Sequence, residues 1–317
     1  MKANNYGKKF KAIKSEIGRV VVGYEEVVDD FLVCLMTGGH LLLEGVPGIA
    51  KTTLIKEFTK VIGMDYKRIQ FTQDMLPADI TGHYFYDSKS GKFELRKGPV
   101  FTHVLMADEI NRAPPKTQSA LIEAMQERQV TIEGNTIHLN DPFFVVATRN
   151  PIETEGVYPL PEAQLDRFMI KSDMRYLSPE AELDLLELKN KDDGKKVRSM
   201  GGALRDNLYG LHRTVYVSSD ILKYIRDIVL ETRMVEELSL GASPRAAEQL
   251  LYASKAYALL KGRRYVIPDD VKNICKKVVP HRLILTVDAE LENVSKLEVL
   301  TNILEEKVEA PKGKFKS

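Results

Sequence analysis

Short apolar runs alternate along this chain with stretches of helical periodicity. Val27, Val28, Phe31, Leu32 and Leu35 fall on one face and predict a helix over residues 25–36. The run Leu41-Leu42-Leu43 follows, then a Gly-rich turn, then a second helical stretch over 52–61. Residues 66–71 read as a strand, and residues 104–107 and 143–147 are further apolar runs. Runs this short, without polar alternation, suit strands of a parallel sheet buried on both faces. Their alternation with helices predicts an α/β fold, an αβα sandwich around a parallel sheet. Two intervals break the rhythm. Residues 76–100 hold the turn signals Asp87-Ser88 and Ser90-Gly91 between aromatic stretches, which predicts an inserted β-hairpin. Residues 129–141 predict a second hairpin, with Gly134-Asn135 as its turn.

After Tyr176 the pattern becomes almost wholly helical. Ser178-Pro179 pairs a capping serine with proline at the first helical position, a strong start signal. Further helices near 219–234, 244–260 and 268–278 open with Ser-Ser-Asp, Ser-Pro and Pro-Asp-Asp. Residues 190–202 are polar and read as a flexible loop, and the Lys-rich tail from Ala310 reads as frayed. The domain boundary is expected near residue 177. That leaves an α/β core with two hairpins over 1–177 and an all-helical domain over 178–317.

Composition adds mainly exclusions. Lys plus Arg number 46 and Asp plus Glu 45, so the chain lacks the basic excess of a dedicated nucleic-acid binder. Cys34 and Cys275 are far apart and read as small apolar residues in a reducing compartment. Residues 1–14 lack a signal-peptide core, and no apolar run could span a bilayer, so a cytoplasmic location is expected. The six histidines show no metal-ligand spacing and read as structural or surface residues. Arg263-Arg264 and Lys276-Lys277 read as solvated faces.

The chemistry is concentrated after the apolar runs. Gly45-Val46-Pro47-Gly48-Ile49-Ala50-Lys51-Thr52, with Thr53 behind it, stands between a strand and a helix and nearly matches G-x-x-x-x-G-K-[ST]. Loop and helix N–H groups converge there on phosphate, Lys51 supplies a point charge to the β- and γ-phosphates, and Thr52 offers its hydroxyl to Mg²⁺. Ala50 replaces the expected glycine. A positive φ there would cost roughly 1 kcal/mol, and a helical φ nothing. Asp108-Glu109 ends the run at 104–107. Such a pair alone is often a solvated turn; behind a P-loop, Asp108 holds Mg²⁺ and Glu109 orients and deprotonates the attacking water. Asn150 follows the run at 143–147, where its amide could hold the γ-phosphate or the lytic water, although Asn-Pro is also a plain turn signal. Arg245 falls in the first turn of the helix opened by Ser243-Pro244, where its charge opposes the helix dipole. An anion would relieve that conflict, with the γ-phosphate as candidate; a pair with Glu248 is the alternative.

Three stretches together resemble the AAA+ ATPases of the MoxR type. They are Ala107-Asp108-Glu109-Ile110-Asn111-Arg112-Ala113-Pro114-Pro115-Lys116-Thr117-Gln118-Ser119-Ala120-Leu121, Leu160-Pro161-Glu162-Ala163-Gln164-Leu165-Asp166-Arg167-Phe168 and Gly241-Ala242-Ser243-Pro244-Arg245. The likeness covers roughly residues 15–300, and the loop with Ala50 shares it. It implies ATP and Mg²⁺ as ligands, a helical lid and a homo-oligomeric ring, usually hexameric. It also implies chaperone-like remodelling of a protein client, often with a von Willebrand factor A-domain partner. Under it, Arg167, at the end of a helix over 162–168, is the arginine finger that reaches the neighbouring subunit's ATP. Its residue-level alternative is a local pair with Asp166. Arg245 becomes the lid sensor arginine, and Val20-Val21-Val22-Gly23-Tyr24 resembles the stretch that packs on adenine, with plain core as the alternative. A nucleic-acid motor or loader on the same fold is disfavoured by the near-neutral charge, and a non-hydrolysing scaffold by the water-activating acid.

Overall fold

The apolar runs pair into one parallel sheet. In the computed structural model, which describes residues 4–152, 156–191 and 196–313, α1 (Asn4–Gly18) and α2 (Glu25–Thr37) lead into β1 (Leu41–Gly45). Next come α3 (Lys51–Ile62), β2 (Tyr66–Gln70), α4 (Pro77–Thr81) and an antiparallel hairpin of β3 (Gly82–Asp87) and β4 (Lys92–Lys97). They are followed by β5 (Val104–Asp108), α5 (Pro115–Glu127) and a second hairpin of β6 (Gln129–Ile132) and β7 (Asn135–His138). β8 (Phe144–Arg149), the single turn α6 (Glu162–Leu165) and β9 (Ile170–Met174) complete this part. The sheet order is β2-β5-β8-β1-β9, with every neighbouring pair parallel.

Successive residues of a strand face opposite sides of the sheet. Leu41 and Leu43 therefore join one core, with α1 to α3, while Leu42 joins the other, with Leu121, Ile122 and Met125 of α5. Burial on both faces explains why these strands carry no polar alternation.

The rest of the chain is α7 (Pro179–Asn190), α8 (Gly202–Leu208), α9 (Ser219–Glu231), β10 (Leu238–Leu240), α10 (Pro244–Leu260), α11 (Pro268–Val278), β11 (Ile284–Leu285), α12 (Val287–Leu291) and α13 (Lys296–Asn302). The serine starts are real caps: Ser178, Ser218 and Ser243 accept the N–H of Ala181, Ile221 and Ala246. β10 and β11 form a small antiparallel ribbon within the helical region, which periodicity did not foretell. α10 packs on α2 and α11, so the first core runs without a break into the C-terminal helices.

Several expectations need correction. The second hairpin turns one residue earlier than expected, on Glu133 (φ 48) and Gly134 (φ 83). Two positive φ values are the signature of a two-residue type I′ turn, and Asn135 already belongs to β7. The helix expected over 162–168 stops at Leu165, leaving Asp166 and Arg167 on the turn before β9. The basic pairs are not plain solvated faces. Arg263 grips the buried Asp270 through two bonds of 2.6 and 2.5 Å, and Lys277 reaches the buried Asp30 at 2.8 Å. In the expected loop at 190–202, residues 192–195 lie outside the described ones, but Met200 N–H donates to Val61 O, so the following segment packs on α3. Of the tail, 314–317 lie outside the described residues, and Ala310 packs against the first core. Both cysteines are fully buried, and burial pushes the Cys275 thiol up to about 12, which leaves it inert. No described helix is long and apolar enough to cross a membrane.

Candidate active site

Parallel strands deliver their carboxyl ends to one rim, and here that rim gathers most of the candidate residues. β1 ends at Gly45 and the loop climbs to α3 through Gly48 (φ 85) and Ala50 (φ 64). Ala50 is thus the cap of α3 in the left-handed region, the costly one of the two conformations open to it. A Cβ on Gly45 would lie 2.8 Å from Met174 O, so glycine is required there. α3 has no side-chain cap and no acid in its first turn, so the positive end of its dipole suits an anion. Lys51 Nζ curls back over the loop to Gly45 O and, at 3.3 Å, Val46 O. Thr52 and Thr53 occupy the first turn of α3. Beside the loop opens a largely apolar cleft of about 550 Å³, lined by Val20, Val21, Val22 and Tyr24 together with Pro47 and Leu177.

Two strands away, Asp108 ends β5 and is 8% exposed. Arg68 of β2 donates to its Oδ2 from Nε (3.1 Å) and Nη2 (2.6 Å). Thr148 Oγ1 donates to its Oδ1 and accepts the Glu109 N–H at 2.9 Å. Glu109 itself leaves the strand at φ 55, ψ 49, left-handed backbone that a non-glycine residue holds at a cost of about 1–3 kcal/mol. Its carboxylate meets Arg112 Nε at 3.1 Å and Gln70 Nε2 at 3.4 Å. Asn150, buried just past β8, accepts the Ile152 N–H on Oδ1 at 3.2 Å, which fixes its amide orientation.

Thr52 and Asp108 are the oxygen donors that could hold a divalent cation. Arg68 already shows that the Asp108 carboxylate is met by positive charge, and with 42% of that side chain exposed it can yield the place. Among the described residues no cluster of three His, Cys, Asp or Glu forms a cage. A partial protein shell suits Mg²⁺, which keeps several of its waters.

The two remaining candidates sit at the other rim. Arg167 precedes β9, whose amino end is tied to that of β1 by Met169 N–H donating to His40 O at 2.8 Å. Arg245, on the second residue of α10, lies 3.7 Å from Asp166. Arg167 and Arg245 line one cavity of about 340 Å³ together with Gly38, Gly39 and His40, which precede β1. The length of β1, roughly 16 Å at 3.3 Å per residue, separates this rim from the P-loop. The described local partners differ from those expected. Arg245 meets Asp166 rather than Glu248, whose Oε1 takes Tyr252 OH, and Arg167 donates to Ala163 O.

Sequence reading assigned no role to Arg68, Thr148 or Arg282, and gave Asp166 only as a local partner of Arg167. Asp166 accepts Arg282 Nε at 2.9 Å and Ser243 Oγ at 3.1 Å. Burial pulls the Arg282 guanidinium down to about 10, opposed by Asp166. The one visible signal was Thr148, polar at the end of an otherwise apolar strand.

Known proteins resemble this arrangement along nearly the whole chain. The model for the ATPase family associated with various cellular activities matches residues 40–170, and one for an AAA lid domain matches 230–303. Chaperone MoxR1 of Mycobacterium tuberculosis is 43% identical over 92% of this chain and 79% of its own length. The uncharacterized protein YeaC of Bacillus subtilis is 45% identical over 93% of this chain and 92% of its own. The crystal structure of a candidate ATPase from Cytophaga hutchinsonii superposes with a TM-score of 0.88 at 40% identity, covering 98% of this chain and 97% of that one.

Proposed function

From the chain's membership of the MoxR-type AAA+ ATPases, α/β P-loop proteins with a helical lid that bind nucleotide and hydrolyse ATP, we propose that it acts as a homo-oligomeric ring, a hexamer. Its Mg²⁺-dependent turnover would remodel a protein client, with a von Willebrand factor A-domain protein as partner. One observation carries the ring. Lys51, Asp108, Glu109 and Asn150 stand at the carboxyl rim, while Arg167 and Arg245 stand at the amino rim, with the sheet between them. The arginines cannot serve their own chain's phosphates. A head-to-tail ring brings the amino rim of each subunit to the carboxyl rim of the next.

In that site, Lys51 and the leading N–H groups of α3 hold the β- and γ-phosphates, with adenine in the cleft beside Val20, Val21 and Tyr24. Residues from Gly45 through Thr53 form the cradle, and Thr52 and Asp108 would hold Mg²⁺, which would supply neutralising charge. Glu109 takes the proton of the attacking water. Asn150 donates to a γ-phosphate oxygen. Arg167 and Arg245 of the neighbouring subunit neutralise the charge that develops on the transferred group. We place the division between core and lid near residue 177, because β9, the last strand of the main sheet, ends at Met174 and Ser178 caps the next helix. The β3–β4 hairpin favours a protein client: Tyr86 and Phe93 meet edge-on at 5.5 Å while 59% and 70% exposed, apolar surface that a folded partner or an unfolded segment could cover.

The test mixes two dead variants. Glu109→Gln keeps ATP binding and its arginines but cannot turn over; Arg167→Ala keeps the pocket but lacks the finger. In rings of random composition about a quarter of the interfaces pair an intact pocket with an intact finger, so the mixture should regain about a quarter of wild-type turnover. A mixture as dead as its parents rules out a shared site.

A further inference from the structure

Asp166, beside the finger arginine, is a core residue whose side-chain partners among the described residues come from the C-terminal part of the chain. It accepts from Arg282 Nε (2.9 Å) and Ser243 Oγ (3.1 and 3.2 Å) and lies 3.7 Å from Arg245. We propose that Asp166 and Arg282 form a latch through which the lid sets the position of Arg167, which makes Asp166 a positioning residue for hydrolysis in the neighbouring subunit. The inference rests on the shared-site reading above and deepens it.

The geometry of Arg282 carries the latch. Its side chain is 1% exposed, and its fork spreads over both parts of the molecule. On the finger segment it donates to the main-chain oxygens of Asp166 (3.3 Å), Phe168 (2.5 Å) and Met169 (3.5 Å), bracketing Arg167 on either side. On the lid it donates to Val278 O and Gln249 Oε1. A planar guanidinium directs its five N–H donors along fixed lines, and with six acceptors around it, two sharing one N–H, the mutual arrangement of lid and finger segment is tightly restricted. Rotating the lid must therefore carry the 166–169 segment along, or break a buried charge pair and leave Arg282 uncompensated. Either way Arg167 moves.

The finger itself stands outside regular structure, on the turn between α6 and β9. Arg167 lies past the end of α6, tethered by its guanidinium to Ala163 O and by its N–H to Gln164 O at 3.2 Å. Its Nε is buried without an acceptor among the described residues, so an acceptor from outside the chain would complete it. Ser243 ties the latch to Arg245: the same hydroxyl that caps α10 also binds Asp166, so both arginines of the amino rim are referred to one carboxylate. A lid moved by nucleotide in its own subunit would thereby retract or present the arginines offered to the next, a coupling of two sites through one two-position element.

Two variants test the latch. Asp166→Asn removes the charge that answers Arg282. Asp166→Glu keeps it but displaces the carboxylate by one methylene, so it carries the test if the asparagine variant does not fold. With either, affinity for a fluorescent ATP analogue should stay within about two-fold, while kcat falls at least about ten-fold, because a misplacement of an ångström costs on the order of 10²-fold. Mixing with Glu109→Gln subunits, whose Asp166 and Arg167 are intact, should restore turnover to about a quarter of wild type. A generally damaged active site would not recover this way. Wild-type kcat in a folded variant, a loss that mixing fails to restore, or unfolding of both variants each overturns the latch; in the last case the pair holds the fold rather than the finger. If the Glu109→Gln and Arg167→Ala mixture recovers while the Asp166 mixture does not, only the latch falls. If neither recovers, the shared-site reading falls with it.

Discussion

The two rims of the sheet are built by different rules. At the carboxyl rim each candidate follows directly from a strand: Lys51 after β1, Asp108 and Glu109 at the end of β5, Asn150 after β8. Parallel pairing alone brings those ends together. At the amino rim, Arg167 stands before β9 and Arg245 on α10, and they line one cavity because α10 docks on α2 and Asp166 bridges to the C-terminal segment. One rim is completed by local sequence, the other by tertiary packing. That contrast fits the proposed division of labour, in which a pocket needs fixed geometry at all times and an arginine supplied to a neighbour gains from being movable.

The sharpest way to break the contrast is to remove the proposed finger. Arg167→Ala should lower kcat by about 10³–10⁵, the range for a supplied arginine in phosphoryl transfer. Calorimetric ATP affinity should hardly change, because the residue sits a sheet's length from its own P-loop. If affinity fell and turnover persisted, Arg167 would belong to its own chain's nucleotide and the two rims would not be partners.

The same contrast explains what could be read in advance. Apolar runs, serine caps and the Gly-rich loop are local signals, and they placed four of the five strands of the main sheet, the helices opened by Ser178 and Ser243 and the carboxyl-rim residues, but not β9. The Arg68–Asp108 and Arg282–Asp166 pairs span 40 and 116 residues. The first exists because β2 pairs with β5 so that Gln70 faces Asp108, the second because the lid docks where it does. No spacing rule encodes either. The misplaced turn of the second hairpin has a smaller cause of the same kind. Gly134 suits a type I′ turn with a neighbour on either side, and the β6–β7 register, Ile132 facing Asn135, selects Glu133.

The amino rim should also be the acid-sensitive one. His40 there links three elements: its Nδ1 accepts Val145 N–H at 3.0 Å, and its Nε2 meets Met125 O at 3.1 Å. Complete burial, with Arg128 nearby, pulls its pKa from 6.5 down to about 3. The ring is neutral when folded and takes a proton when unfolded. Its stabilising contribution is therefore complete above pH 6.5 and is lost as pH falls from there toward 3, by about 2 kcal/mol at pH 5. His281, also buried and held well below 6.5, adds to the loss. Asp30, pushed up to about 6 by burial, works the other way between about 6 and 3.8. Urea denaturation at pH 7.5 and 5 should show His40→Gln less stable than wild type at the higher pH, with the gap narrowing at the lower. A constant gap would show that His40 does not set the dependence.

Arg245 should matter less than Arg167 because part of its charge is already answered by Asp166 at 3.7 Å. Losing one charge-assisted hydrogen bond in the proposed shared site predicts a kcat lowered by about 10- to 100-fold for Arg245→Ala. Rescue by Glu109→Gln subunits in the mixing assay is expected. A rise in KM alone, unaffected by mixing, would assign Arg245 to nucleotide bound by its own subunit instead.

The smallest effect belongs to the carboxyl rim and tests whether its geometry is held under strain. Ala50 stands at φ 64, where its methyl group costs about 1–2 kcal/mol. Ala50→Gly removes that cost but adds roughly 0.5–1 kcal/mol of unfolded-chain freedom. The balance is a gain of about 0.5 kcal/mol, which a thermal scan should register as a rise of about 1–2 °C. Ala50 is exposed, so its methyl group has little packing to lose. The substitution leaves Lys51 and the N–H groups of α3 in place, so ATP affinity should hold. If the glycine variant were less stable, the loop's left-handed residue would be held by contacts its exposure does not reveal. If stability rose but ATP affinity fell, the methyl group would be restricting the loop to its phosphate-ready shape, and the strain at this rim would serve binding rather than merely being tolerated.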